Sequence, residues 1–378
     1  MFGRSKKTID EAAVLGVLRT VQDPDLHRDI VSLGFVKDMK IEGGRVSFKV
    51  ELTTPACPVK EQLKAECLSK VRGLPGVEDV SVEMTAQVRR MNPAGGGPGP
   101  GAALLKDVRN IVAVASGKGG VGKSTTAANL ALALKQAGAK VGLLDADIHG
   151  PSMAMMFGID GRPEITDEKK IVPIEAHGVK VISMGFLTGP NTPVIWRGPM
   201  VHGAIQQLVR DSAWGELDYL VIDLPPGTGD AQLSISQAIS LSGAVIVTTP
   251  QDVSLLDARK GLLMFRQLRV PVLGIVENMS YFLCPHCGER AEIFRHGGGR
   301  RTSEELGVPF LGEIPIEPAV AVGGDTGRPI VSEKPDSPAA KAYIACAQQV
   351  AAQLSLLAET QEHKLPHAPI MPGPIEWK

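Results

Sequence analysis

Ser116-Gly117-Lys118-Gly119-Gly120-Val121-Gly122-Lys123-Ser124-Thr125 decides the fold, because it fits G-x-x-x-x-G-K-[ST] and follows the apolar run Ile111-Val112-Ala113-Val114. The glycines let successive backbone N–H groups turn inward around phosphates, Lys123 adds a mobile positive charge, and the Ser124 hydroxyl can reach Mg²⁺. A β-branched strand before the loop and the Ala-rich, Leu-punctuated helical pattern from Thr126 to Gln136 give the motif its required setting. The expected ligand is a nucleoside triphosphate with magnesium.

Working outward, apolar strand cores recur at Val141 to Leu144, Val179 to Met184, Leu220 to Ile222, Ala244 to Thr248 and Val272 to Val276, with helical patterns between them. Continuous Val/Ile/Leu runs suit strands covered on both faces, so the fold class is α/β with a doubly wound parallel sheet of the P-loop type. Before it lies a small α+β unit. Thr8 to Thr20 has helical spacing, Phe35 to Ile41 and Arg45 to Leu52 alternate around Glu42-Gly43-Gly44, a helix begins near Pro58, and Val77 to Val82 adds a strand. Met91 to Gly101 is Gly/Pro-rich with nothing to bury. The organisation predicted is therefore a small domain over 1–90, a linker over 91–103, a P-loop ATPase domain over 104–362 and a Pro-rich tail over 363–378.

Composition excludes several classes. A net charge of −1 gives no global reason to expect nucleic-acid binding. The start Met1 to Lys7 is basic without an apolar stretch behind it, and no run approaches a bilayer span, so no membrane association and a cytoplasmic location are expected. Five cysteines do not describe a disulfide framework and read as free thiols or metal ligands.

Carboxylates sit where strands end. Asp223, closing Leu220-Val221-Ile222, is placed to hold Mg²⁺ through water, and the Gly227 N–H is expected to contact the γ-phosphate. Of Asp145 and Asp147, the second resembles the first switch aspartate of the deviant Walker A ATPases, which implies that it acts on the attacking water, while Asp145 supports the loop or the magnesium shell. Cys284-Pro285-His286-Cys287-Gly288 is a tight turn with two thiols aimed at one ion. Cys67 and Cys346 have the spacing of core residues. A tetrahedral thiolate site needs four donors, so a two-fold dimer sharing Cys284 and Cys287 from each subunit supplies a 4Fe-4S cluster or a Zn²⁺ ion.

With its second lysine, Lys118, GKGGVGKST resembles the deviant Walker A ATPases. In that family the extra lysine reaches the nucleotide of the other subunit, so Lys118, Lys123 and Asp147 are implied as the catalytic set. DADIHGPS, DLPPGTGD, TTPQ, ENMSYFLCPHCG and Gly297-Gly298-Gly299 are together similar to the Mrp/ApbC family of P-loop iron-sulfur cluster carriers, over about Asn110 to Gly327. The resemblance implies ATP, with Asn278 reading adenine. It also implies a homodimer that carries a 4Fe-4S cluster to apo iron-sulfur proteins from an unidentified donor. In the front unit, Asp23-Pro24-Asp25-Leu26, Ile30 to Gly34 and Leu52 to Pro58 resemble the small domain of iron-sulfur assembly factors. There Cys57, just before Pro58, is expected to be a thiolate stabilised by helix N–H groups and to act in cluster transfer. Two other readings stay open: an ATPase with a dimer-bridging structural zinc site, and a cell-division or partition-type positioning ATPase.

Overall fold

The structure, a computed structural model, describes residues 9–91, 105–148, 150–186 and 198–362. The Gly/Pro run at 92–103, His149 and the tail 363–378 lie outside the described residues.

Eight strands form one sheet, ordered edge to edge as Phe310–Glu313, Val272–Glu277, Gly243–Thr248, Val108–Ser116, Leu217–Asp223, Val141–Asp145, Val179–Ser183 and Ile174–Ala176. Every pairing is parallel except the last. The Val108–Ser116 strand shows why both faces must be covered. Val112 and Val114 enter a core built with the helices Lys123–Gln136 and Pro338–Glu362, while Ile111, Ala113 and Ala115 enter a second core under Asp230–Ala238 and Asp252–Gln267. The chain leaves this strand toward one edge of the sheet and later returns to its other side. The crevice at its carboxyl end is thus a topological switch point, where ligands of such folds gather.

Two strands were not expected from the sequence. Phe310–Glu313 is short and carries Gly312, where an added Cβ would lie 2.7 Å from the Cys346 sulfur; close approach of the terminal helix requires the glycine. Ile174–Ala176 is a three-residue antiparallel edge, too short for its alternation to stand out.

The front unit folds around its own core. Asp10 accepts from the Ala13 N–H at 2.7 Å and starts the helix Glu11–Leu18. The strands Val36–Glu42 and Arg45–Leu52 pair antiparallel, and Asp79–Ala86 returns parallel to the second after the crossover helix Lys60–Arg72. Leu63, Cys67 and Val71 line the inner face of that helix. Cys346 is likewise buried, in the larger domain.

The front unit docks at the amino ends of the central strands, the pole opposite the P-loop. Thr54 Oγ1 and the Tyr219 hydroxyl hydrogen-bond at 3.0 Å in a buried contact. Asn110 donates to the Arg89 carbonyl at 3.0 Å and accepts from the Met91 N–H at 3.3 Å. Glu359, near the end of the terminal helix, pairs with both Arg28 and Arg89. Ala56, Val88 and Met91 join the larger domain's core. A carboxylate shared by two guanidiniums is a charge-assisted clamp, and its loss removes one ion pair from each of them. Glu359→Ala should therefore speed backbone hydrogen exchange over residues 87–91 by about tenfold, equivalent to about 1.4 kcal/mol of docking free energy. Unchanged exchange would show that apolar contact alone seats the front unit.

Candidate functional site

The phosphate loop takes its shape from close approaches. An added Cβ on Gly117 would lie 2.1 Å from the Asp257 carbonyl carbon, so only glycine lets the loop rest on the helix Asp252–Gln267. Gly120 and Gly122 adopt left-handed φ of 77° and 80°. Nothing lies within 4 Å of where a Cβ would stand on Gly119 or Gly120, which leaves an open cradle beside the backbone. Val121 is buried beneath it, and Lys123, Ser124 and Thr125 open the helix Lys123–Gln136. The loop and the first turn of this helix thus present N–H groups and the positive end of the helix dipole to one small volume.

Lys123 is only 6 % exposed, and its Nζ lies 2.6 Å from Asp223 Oδ1, 3.2 Å from Ser124 Oγ and 3.9 Å from Asp147 Oδ2. Asp223 is fully buried and its Oδ2 has no hydrogen-bond partner. Burial drives its carboxyl pKa upward, and the Lys123 ammonium opposes the shift. An orphaned carboxylate oxygen beside the Ser124 hydroxyl fits a hard divalent cation, which takes oxygen ligands. Asp147 is buried at the same place and accepts the Gly150 N–H at 3.2 Å.

Asp145 is otherwise engaged. Its Oδ1 accepts the Asp147 N–H at 3.2 Å, and its Oδ2 accepts the Ser152 and Met153 N–H groups and the Ser183 hydroxyl at 3.0, 3.1 and 2.9 Å. Both Asp145 oxygens thus hold the loop, one of the two supports expected of this residue. Burial and the neighbouring Asp223 charge raise its pKa. The Gly227 N–H is engaged as well. Expected at the γ-phosphate, it donates to the Ser116 carbonyl at 3.0 Å, since a φ of 94° turns it back onto the strand end. Asn278 also has a competing use. Its Nδ2 donates to the Val121 carbonyl at 2.8 Å, so one of its two amide N–H groups is committed to the phosphate loop, leaving the other and Oδ1 for a base. Lys118 is half-buried on the loop, its carbonyl accepting from Ser116 Oγ at 2.9 Å.

Cys284 and Cys287 sit at the tip of a hairpin formed by Phe282–Leu283 and Arg290–Ala291. The tip is closed by Cys284 N–H to Glu289 O at 2.9 Å and Gly288 N–H to Cys284 O at 2.8 Å, with Gly288 at a left-handed φ of 72°. Cys284 is half-buried and Cys287 exposed. The Cys287 and His286 backbone N–H groups aim at the Cys284 sulfur and lower its pKa, favouring thiolate. His286 is exposed, whereas His296 is held by Glu313 at 2.9 Å. Among the described residues no group of three or more His, Cys, Asp or Glu could hold a metal ion.

Residues the sequence did not flag root this arm. Glu277, fully buried, accepts the Ser280 hydroxyl at 2.6 Å and the Gly297 and Gly299 N–H groups. The Gly297-Gly298-Gly299 run is thus a helix N-terminus wrapped around a carboxylate, and an acidic residue ending an apolar strand was the available signal. An added Cβ on Gly298 would meet Leu255 Cδ1 at 2.6 Å and the Pro250 carbonyl oxygen at 2.8 Å, so bulk is excluded there.

Cys57 departs from expectation. The helix starts at Lys60, not at Pro58, and the sulfur lies among Asp23, Asp25, Ala352 and Ser355 between the front unit and the terminal helix. Burial pushes the Cys57 thiol up to about 11, outweighing the one N–H from Val59, and the Asp23 and Asp25 charges push the same way. No stabilised thiolate forms there. Cys57 also lies at the opposite pole of the sheet from Cys284 and Cys287.

The family model of NUBPL iron-transfer P-loop NTPases matches residues 107–351, and that of iron-sulfur cluster assembly proteins matches residues 11–84. The chain is 51 % identical to the iron-sulfur cluster carrier protein of Synechocystis over 92 % of this chain and 98 % of the relative. It is 51 % identical to the protein of the same name from Deinococcus radiodurans, over 91 % and 95 %. Among solved structures, it resembles the nucleotide-binding protein of Archaeoglobus fulgidus in complex with ADP, with 41 % identity, a TM-score of 0.56, and 62 % and 92 % of the two chains covered. The cell-division ATPase MinD of Pyrococcus furiosus shares the fold at 26 % identity and a TM-score of 0.50, covering 64 % and 98 %. The family match over residues 107–351 and the two carrier proteins 51 % identical over more than nine-tenths of this chain, on a fold that carries a phosphate loop and a two-cysteine arm, place this protein in the Mrp/ApbC family of iron-transfer P-loop NTPases.

Proposed function

We propose that the protein is an ATP-hydrolysing homodimeric carrier that holds a labile 4Fe-4S cluster between Cys284 and Cys287 of two subunits and delivers it to apo iron-sulfur proteins in the cytoplasm. The carrying observation is the exposed hairpin tip, where two thiols stand together with one poised as thiolate and no further ligand joins them among the described residues. A cluster with four irons to ligate is completed by a second copy. Because two of its ligands come from each side, relative movement of the subunits loosens it for transfer.

The nucleotide roles follow from the buried pair. Lys123 rests on Asp223, and an incoming triphosphate competes for the ammonium with a higher charge density. Asp223 and Ser124 would then hold Mg²⁺, which neutralises phosphate charge and orients the β- and γ-oxygens. Asp147, within reach of the same volume, positions the attacking water as general base, and Lys118 contacts the nucleotide across the dimer. Asn278 meets the base through Oδ1 and its remaining amide N–H. Cys57, protonated and remote, is a docking-surface thiol whose part in transfer requires the front unit to leave its seat.

The terminal helix Pro338–Glu362 argues against the membrane-positioning reading. Its Ala340, Tyr343, Ala347, Val350, Leu354 and Ala358 are consumed in the core, and among the described residues no helix is long and apolar enough to cross a membrane.

Lys123→Ala should weaken ATP binding by at least about tenfold, while Asp147→Ala should keep affinity within about threefold and lower kcat by about a hundredfold. Wild-type affinity and turnover in the Lys123 variant would remove the nucleotide assignment. Cys284→Ala and Cys287→Ala should each abolish anaerobic reconstitution of the broad visible absorption of a thiolate-bound cluster and its transfer to an apo-enzyme, with ATP binding retained. A colourless wild-type protein that takes up zinc at these thiols would favour the structural-clasp reading instead.

A further inference from the structure

We infer that Glu277 and Asn278 are a pair of positioning residues that tie the phosphate loop to the cysteine arm, so that nucleotide occupancy sets the reactivity of Cys284 and Cys287. The inference rests on the carrier reading and names the element through which its two sites communicate.

The two residues are consecutive, at the carboxyl end of the Val272–Glu277 strand. Their backbone is fixed on both sides, with Asn278 N–H donating to Thr248 O at 2.8 Å and Ile314 N–H to Glu277 O at 2.9 Å. Both side chains are buried, at 5 % and 0 % exposure, so neither can exchange its partners for water. They grip different things. Asn278 Nδ2 holds the Val121 carbonyl at 2.8 Å, and an added Cβ on Gly122 would lie 2.1 Å from that nitrogen. The amide is therefore pressed against the loop backbone, next to the glycine that must turn its N–H toward phosphate. Glu277 accepts from Ser280 at the entry of the arm and from Gly297 and Gly299 at its exit. One carboxylate thus closes both feet of the segment 281–296, which carries the two thiols.

Any movement of the Val121 carbonyl on phosphate binding meets a hydrogen bond to Asn278 rather than solvent. The strand end is held by its neighbours, and the strain is passed to Glu277, whose carboxylate holds the feet of the arm. Met279, between Asn278 and Ser280, is a non-glycine residue at a left-handed φ of 54°, so the connection is taut rather than slack. By linkage, whatever factor nucleotide applies to the arm the arm applies to nucleotide affinity.

The test uses the full-length apo protein and the thiol reagent DTNB, with modification of the peptide holding Cys284 and Cys287 followed by mass spectrometry, with and without saturating Mg·ATP analogue. Wild type should show about a fivefold change in modification rate on nucleotide addition. In Asn278→Ala, measured at saturation, the ratio should fall to about one even if the absolute rates change, an outcome that a merely structural role, which scales both rates together, would not give. Ser280→Ala removes one donor to Glu277 without touching the phosphate loop; it should reduce the ratio by at least about half while ATP affinity stays within about twofold. A wild-type ratio in both variants, or no nucleotide effect in wild type, overturns the coupling. Neither result touches iron loading at Cys284 and Cys287, so failure of this link and failure of the carrier reading remain distinct.

Discussion

Parallel strand direction is the constraint on which the site depends. Because Val108–Ser116, Val141–Asp145, Leu217–Asp223 and Val272–Glu277 all run the same way, their carboxyl ends deliver the phosphate loop, Asp145, Asp223 and the root of the cysteine arm to one edge. Each group enters the crevice from a strand buried on both faces, so its position is set by core packing rather than by loop conformation. The same constraint places the front unit, seated at the amino ends, as far from this chemistry as the domain allows.

Burying four charged groups in one crevice carries a large desolvation cost, and the structure shows how each is met. Asp145 is neutralised by four donors, Lys123 and Asp223 by each other, and Asp147 by a loop N–H and the lysine. Only Asp223 Oδ2 is left over, which marks where the site is incomplete without its ligands. The charges are thus held ready for a phosphate–metal complex, and the loop glycines supply space that no side chain fills. The cysteine arm follows a different principle, being exposed and anchored only at its feet by Glu277.

The phosphate loop and most central strands were legible because their signals are local: glycine spacing, an apolar run, a carboxylate at its end. Cys67 and Cys346 read as core from helical spacing and are core. What escaped depends on partners distant in sequence. The donors that hold Asp145, from Ser183 and the turn at Ser152, and the Ser116 carbonyl that takes the Gly227 N–H are brought together only in the folded chain. The Cys57 thiol is raised by burial and by the Asp23 and Asp25 charges, more than thirty residues away in the chain. The triple glycine was visible as a motif, yet its purpose was not, since only the folded chain brings Glu277 beneath it. The Phe310–Glu313 strand was hidden by its length and its glycine.

The central claim is that two subunits share one cluster through four thiolates, and mass decides it directly. Native mass spectrometry of anaerobically reconstituted protein should find one 4Fe-4S cluster on a species of two chains and none on single chains, with removal of the cluster lowering the dimer fraction. A cluster retained by a single chain, or one cluster on each chain of the dimer, would contradict the account.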